Sequence, residues 1–223
     1  MEVIVLGNNG PYPSAGGACS SYLVRSGNTS MLNDCGPGSL ANLFKYMDPK
    51  DLDAILVSHL HYDHISDLYA LSYYLKANNK QIDLFLPDSP RDVYETFRDN
   101  DAYNTFIICD CNMFHIKDIT ISFCEMTHSS KSFACKFRDD KSMFVFTGDT
   151  DNNEKIKDYA LDSDLLIVDG GNAKSHLTPL DCDLLSYESN AKQFVVSHLN
   201  PSFDNEKLFE HRLAKIGDVY KLD

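Results

Sequence analysis

No apolar run of about eighteen residues occurs in this chain, which argues against a membrane-spanning helix. The amino terminus, Glu2-Val3-Ile4-Val5-Leu6-Gly7, lacks the basic segment and the small-residue cleavage site of a signal peptide. It reads as a first core strand, and the protein is expected in the cytoplasm. Cysteine is scattered: Cys19, Cys35, Cys109, Cys111, Cys124, Cys135 and Cys182 are odd in number, with no Cys-x-x-Cys pair. That fits reduced thiols rather than a disulfide framework, and it leaves no four-cysteine zinc site. The one close pair, Cys109 and Cys111, reads as structural. No run of about five basic residues appears either. With 20 Lys and Arg against 33 Asp and Glu, the formal net charge is −13. A surface of that sign repels a long polyanion, and two bound divalent cations would leave it acidic. No low-complexity linker and no short repeat divides the chain.

What remains is ordinary in bulk. Hydrophobic residues are 43% and charged residues 24%, as in a soluble globular protein, and 223 residues allow a sizeable core. One domain over residues 1–223 is expected. The informative stretch is Ser58-His59-Leu60-His61-Tyr62-Asp63-His64, directly after the apolar run Ala54-Ile55-Leu56-Val57. The run reads as a buried strand, so the cluster falls at a strand's carboxyl end, where open α/β sheets build their sites. Neutral imidazoles and a carboxylate suit zinc and similar divalent ions. Without a metal, ligand-type side chains packed this tightly would repel one another or go unsatisfied.

Elsewhere the pattern alternates strands with helices. Strands are predicted over 20–25, 29–33, 82–86, 119–126, 133–138, 142–146, 165–168 and 193–196. Helices are predicted from Ser39, as N-cap, to about Tyr46, from Ile65 past Leu75, over 90–98, to about Tyr159, and from Thr178 to about Glu188. A closing helix is predicted over 203–215. Residues 99–117 carry no clear pattern, and His115 within them reads as structural or solvated, like His211. Four further apolar runs end at once in a ligand-type residue: His128, Asp149, Asp169 and His198. One such case is usually a cap; four more suggest strand ends converging on one site.

Ser-His-Leu-His-Tyr-Asp-His at 58–64, Thr-His-Ser at 127–129, Phe-Thr-Gly-Asp-Thr at 146–150 and Ser-His-Leu-Asn-Pro at 197–201 resemble the metallo-β-lactamase superfamily in order and spacing. The resemblance covers nearly the whole chain. It implies an α/β fold: a four-layer αβ/βα sandwich of two mixed β-sheets flanked by helices, with a dinuclear metal site at one edge. Three features are most similar to the branch of ribonuclease Z and PhnP-like cyclic phosphodiesterases. These are the Gly7-to-Pro13 loop followed by Ser20-Ser21, the Asp34-Cys35-Gly36 strand end, and His176-Leu177-Thr178.

Carried over, the resemblance implies that His59, His61 and His128 bind one metal, that Asp63, His64 and His198 bind the second, and that Asp149 bridges them. Seven ligands for two ions leave room for a shared water, which becomes hydroxide near neutral pH and can attack phosphorus in line. His176 is then the general acid that protonates the leaving alkoxide. In the ribonuclease Z pattern a Glu in a His-Glu-Ala context orients this histidine, whereas here the position reads Val168-Asp169-Gly170. The catalytic residues implied are Asp63, His176 and Asp169. The metals are expected to be two Zn²⁺, with Mn²⁺ or Fe²⁺ as alternatives.

In ribonuclease Z a flexible arm that grips tRNA is inserted between the third histidine motif and the Gly-Asp-Thr motif. Here the interval from His128 to Asp149 has room for two strands and a turn. Arm and basic patch both missing, the expected partner is a small or cyclic phosphodiester, with no membrane, and a long nucleic acid is less favoured. A homodimer is plausible by resemblance only. The alternatives are a ribonuclease Z-like tRNA 3′ endonuclease, a thioesterase, lactonase or β-lactamase of the same superfamily, a metal-stabilised binding protein, and a di-iron redox protein.

Overall fold

The computed structural model describes residues 1–110 and 112–223, so Cys111 of the Cys109/Cys111 pair lies outside the described residues. Alternation along single strands decides the layers. In β1 (Glu2–Gly7), Val3 and Val5 enter one buried cluster while Ile4 and Leu6 enter another. Both faces of the strand are therefore covered. The chain continues through β2 (Ser21–Ser26), β3 (Thr29–Asn33), α1 (Ser39–Leu43), β4 (Ala54–Leu56), α2 (Tyr62–Ala77), β5 (Ile82–Leu86), α3 (Arg91–Arg98) and β6 (Tyr103–Ile107). It then forms β7 (Met113–Ile116), β8 (Ile119–Met126), β9 (Ser132–Arg138), β10 (Met143–Phe146), α4 (Glu154–Ala160) and β11 (Leu165–Asp169). The last elements are α5 (Pro179–Ser189), β12 (Phe194–Ser197), α6 (Asn205–Leu208), β13 (Arg212–Leu213) and β14 (Val219–Lys221).

Two mixed sheets result. Their strand orders are β14-β1-β2-β3-β4-β5-β6 and β13-β12-β11-β10-β9-β8-β7. In the first, the pairs from β14 to β3 are antiparallel and those from β3 to β6 parallel. In the second, the pairs from β7 to β10 are antiparallel and those from β10 to β13 parallel. Val3, Val24 and Leu56 meet Phe133, Phe144 and Ile167 in a core between the sheets. Leu68, Leu71 and Phe97 of the helices seal the outer face of the first sheet, and Ile156, Cys182 and Leu185 seal the second. This is the four-layer αβ/βα sandwich of the metallo-β-lactamase fold. Among the described residues no helix is long and apolar enough to cross a membrane.

Three local expectations need correction. Residues 99–117 are not irregular throughout: they carry β6 and β7, and β7 places His115 Nδ1 2.9 Å from Thr120 Oγ1. Gly38, in left-handed conformation, takes the N-cap position of α1 that Ser39 was expected to hold. The closing helix over 203–215 is not formed. Only Asn205–Leu208 is helical, and β13 instead pairs with the edge of β12, Val196 opposite Leu213. Unpaired strand edges outcompete helix propensity where a neighbour is within reach. His211, outside any helix, lies 2.9 Å from Asp183.

The turn between β9 and β10 ties the far end of the sandwich together. Asp139 accepts hydrogen bonds from the Lys141 and Ser142 backbone amides and from the Ser26 and Ser142 hydroxyls, and it lies 3.3 Å from the amino group of Met1. Partial burial works against its charge, but the Ser26, Lys141 and Ser142 donors prevail and hold the carboxyl well below the usual carboxylate range. A depressed folded-state pKa means the unfolded chain binds more protons, so the stabilisation is present above the unfolded value of about 3.9 and is lost as pH falls. Asp139→Asn is expected to cost about 1 kcal/mol at pH 7, after discounting for solvent screening. In urea unfolding the gap between variant and parent should narrow as pH drops below about 4.

Candidate metal centre

The predicted ligands sit just past strand ends or at the start of the helix that follows one, and they gather in one place. His59 follows β4; His61 caps α2, which presents Asp63 and His64 from its first turn. An acidic residue in that first turn complements the helix dipole. His128 follows β8, Asp149 follows β10, Asp169 ends β11 and His198 follows β12.

The ligand atoms converge in two groups. In the first, His59 Nε2 lies 3.0 Å from His61 Nδ1, which is 3.2 Å from His128 Nε2. Asp149 Oδ2 lies 3.5 Å from His59 Nε2 and 3.9 Å from His128 Nε2. In the second, Asp63 Oδ2 is 3.1 Å from His198 Nε2 and 3.6 Å from His64 Nε2. Asp149 Oδ1 is 3.3 Å from His64 Nε2, and its Oδ2 is 3.3 Å from His198 Nε2. Asp149 belongs to both groups.

These residues fit a pair of divalent cations. Bonds of about 2.0–2.1 Å in a tetrahedron put ligand atoms about 3.3 Å apart, near the spacings in each group. His64 Nε2 and Asp149 Oδ1 are buried and make no hydrogen bond, although they face each other. Buried polar atoms without partners are costly, and a cation between them would satisfy both. The donor set, imidazole and carboxylate, accepts zinc, manganese or iron.

The electrostatics of the two groups differ. Burial, then the neighbouring His64 and His61, pushes His59 far below the usual imidazole range, so its lone pair is available. Burial opposes charge on His64 as well, but Asp149, Asp63 and Asp34 override it and raise its pKa. The same contest, with Asp149 foremost, Asp169 close to Nδ1 and Asp63 hydrogen-bonded at Nε2, raises His198.

Outer contacts hold the rings in place. His128 Nδ1 donates to the Ser175 carbonyl at 2.9 Å, which turns Nε2 toward the group. Asp34 does the same for His64: its Oδ2 is 2.7 Å from His64 Nδ1, while Ser58 donates through both backbone amide and hydroxyl. Asp34 is completely buried, with φ of 58° in the left-handed region, where Asp is one of the few residues found. It was noted in the sequence only as part of a strand-ending Asp-Cys-Gly. His198 shares that backbone region, at φ 52°. Its strain is consistent with a constrained site.

Asp169 and His176 adjoin the second group. His176 Nδ1 is 2.8 Å from Asp169 Oδ2, and its ring stacks on that of His198 at 5.1 Å. Asp169 also accepts from the Thr150 and Gly171 amides and approaches His198 Nδ1 at 3.3 Å. Its oxygens are thus occupied by protein donors, the arrangement of an orienting group. Burial works against charge on His176, yet Asp169 and Asp149 raise its pKa above the usual value. Two glycines make the crowding possible. A Cβ at Gly10 would lie 1.9 Å from His198 Nε2, and one at Gly171 would lie 2.7 Å from His176 Nδ1.

Residues 15–102, which contain the His59-to-His64 cluster, match the family model of the metallo-beta-lactamase superfamily. The chain is 28% identical over 217 residues to the probable metallo-hydrolase YhfI of Bacillus subtilis, covering 89% of this chain and 87% of that protein. The crystal structure of YhfI superposes with a TM-score of 0.91 over 98% of both chains, at 25% identity. The chain resembles the metallo-β-lactamase superfamily in the match over residues 15–102 and in its fold. With its His/Asp clusters assembled, it is a metal-dependent hydrolase. Members of the ribonuclease Z and PhnP groups share its fold. The short form of human tRNase Z superposes with a TM-score of 0.82 at 21% identity, covering the whole of both chains. A diphosphatase of the PhnP family gives 0.77 at 15% identity, covering 100% of this chain and 98% of that one.

Proposed function

We propose that this metallo-hydrolase is a dinuclear phosphodiesterase for a small or cyclic phosphodiester. His59, His61 and His128 would hold one cation, Asp63, His64 and His198 the other, and Asp149 would serve both. The observation that carries the reading is the Asp169–His176 pair beside the second ligand group. Thioester hydrolysis expels a stable thiolate without a proton donor, whereas an alkoxide leaving phosphorus needs one.

Bound divalent cations would polarise the phosphoryl oxygens and lower the pKa of a water near neutrality. The chain's own residues do the rest. Asp169 holds His176 through Nδ1, which leaves Nε2 as the proton-bearing atom for the leaving oxygen. Asp34 and the Ser175 carbonyl keep the His64 and His128 rings aimed before substrate arrives, so little reorganisation is required during reaction. The interval from His128 to Asp149 contains only β9, β10 and their turns, which leaves no tRNA-gripping arm. That, with the net charge of −13, favours a small substrate over a long nucleic acid.

Protein loaded with zinc or manganese is expected to hydrolyse bis(p-nitrophenyl) phosphate and 2′,3′-cyclic nucleotides, and to leave thioesters and lactones largely intact. If both diesters are untouched, the reading is wrong. Asp34→Asn tests the orienting role separately. Asn tolerates the left-handed backbone but places an amide donor or a weaker acceptor against His64 Nδ1. Chelator competition should show one of the two ions bound about 10- to 100-fold more weakly.

A further inference from the structure

Beside the metal centre lies a cavity of about 400 Å³ with mostly apolar walls, within the range of small-molecule pockets. Pro11, Leu60, Tyr62, Pro90 and Val93 line it, together with His61 and Asp63. The last two matter for its meaning, because His61 belongs to the first ligand group and Asp63 to the second. A phosphorus held between the two groups would have this apolar wall on one side.

Tyr62 is the unusual member. It is the first residue of α2, placed between two ligand-group residues, and it leaves 70% of its surface exposed. Among the described residues its ring makes no ring-to-ring or cation contact, unlike Tyr69, which packs on Phe97. A large ring held at the rim of a reacting centre by a backbone that the metal ligands already fix is pre-organised for stacking. Pro11 and Pro90 provide further flat apolar surfaces, and Leu60 and Val93 form the buried floor.

We infer that this cavity is an aromatic-ester subsite: it takes a planar ring carried by one ester oxygen of the phosphodiester, with Tyr62 as the specificity-determining residue. The inference rests on the phosphodiesterase reading above and narrows its substrate class. The ring is either a nucleobase or a simple aryl group, and both offer a π-face to Tyr62.

Calorimetric binding to the metal-loaded protein separates the possibilities. Methyl phosphate gives the baseline for a phosphate without a ring, phenyl phosphate adds an aryl ring, and uridine 3′-phosphate adds a nucleobase on its ribose. Phenyl phosphate or uridine 3′-phosphate should bind about tenfold tighter than methyl phosphate, and the tighter of the two identifies the ring's source. Tyr62→Ala should reduce that preference to about twofold or less, and Tyr62→Phe should keep it. Metal analysis of each variant checks that two ions remain, so that a lost preference is not lost metal. Equal binding of all three esters by the parent protein overturns the subsite, as does a preference that survives Tyr62→Ala. If no phosphate ester binds at all, the phosphodiesterase reading fails and the subsite with it.

Discussion

Asp149→Asn is expected to reduce bound metal from two ions per chain to one or none, and to lower diester turnover at least about a thousandfold. The residue is 2% exposed and faces five imidazoles, His176 among them with Nδ1 3.8 Å from Oδ2. Oδ1 is 3.3 Å from His64 Nε2, and Oδ2 is 3.5 Å from His59, 3.3 Å from His198 and 3.9 Å from His128. Among the described residues no other carboxylate belongs to both ligand groups. Burial penalises its charge, but His198 and His64 more than compensate and hold its pKa down. Replacing it by the isosteric amide leaves Asp63 as the only carboxylate among the seven proposed ligands. Two divalent cations would then sit with half the anionic compensation. The fold should survive, because none of the three hydrophobic clusters includes Asp149 and its backbone carbonyl still accepts from Ser132. Metal analysis together with circular dichroism distinguishes a lost centre from a lost fold. An Asp149→Asn protein with two tightly bound ions would contradict the bridging role.

His176→Ala should discriminate between leaving groups rather than simply reduce rate. General acid catalysis contributes typically about 100- to 10,000-fold where the leaving oxygen needs its proton. A 2′,3′-cyclic nucleotide expels an alkoxide, so its turnover should fall about a thousandfold. Bis(p-nitrophenyl) phosphate expels a stabilised phenolate and should lose less than about tenfold. Metal content should hold at two ions, since His176 belongs to neither of the two ligand groups assigned to metals. Its contacts are with Asp169 at 2.8 Å, with Asp149 at 3.8 Å and with the rings of His198 and His128. Equal losses on both substrates would assign His176 to structure or metal retention instead. Unchanged turnover of both would favour the thioesterase alternative.

Much of this centre was legible in the sequence because its logic is local. An apolar strand that ends at once in histidine or aspartate is visible residue by residue, and His59, His128, Asp149, Asp169 and His198 all follow that form. The strand faces were legible for the same reason, as Val3 and Val5 against Ile4 and Leu6 illustrate. What was missed depends on distant partners. Asp34 orients His64 from another strand's end, thirty positions earlier in the chain, and nothing near Asp34 signals that contact. The apolar wall of Pro11, Tyr62 and Pro90 comes from three separate loops and helix starts. The segment 203–215 has helix-compatible residues, but the exposed edge of β12 recruits Arg212 and Leu213, and β1 recruits Val219 to Lys221 as its outer neighbour. Sheet edges decide such cases, and they exist only once the sheet does.

Stepwise addition of zinc or manganese to metal-free protein, read by hydrolysis of a 2′,3′-cyclic nucleotide, tests the dinuclear phosphodiesterase most directly. The expected result is little turnover with the first equivalent and a rise to the full rate as the second is bound. Full activity at one equivalent, or none at two, would contradict it.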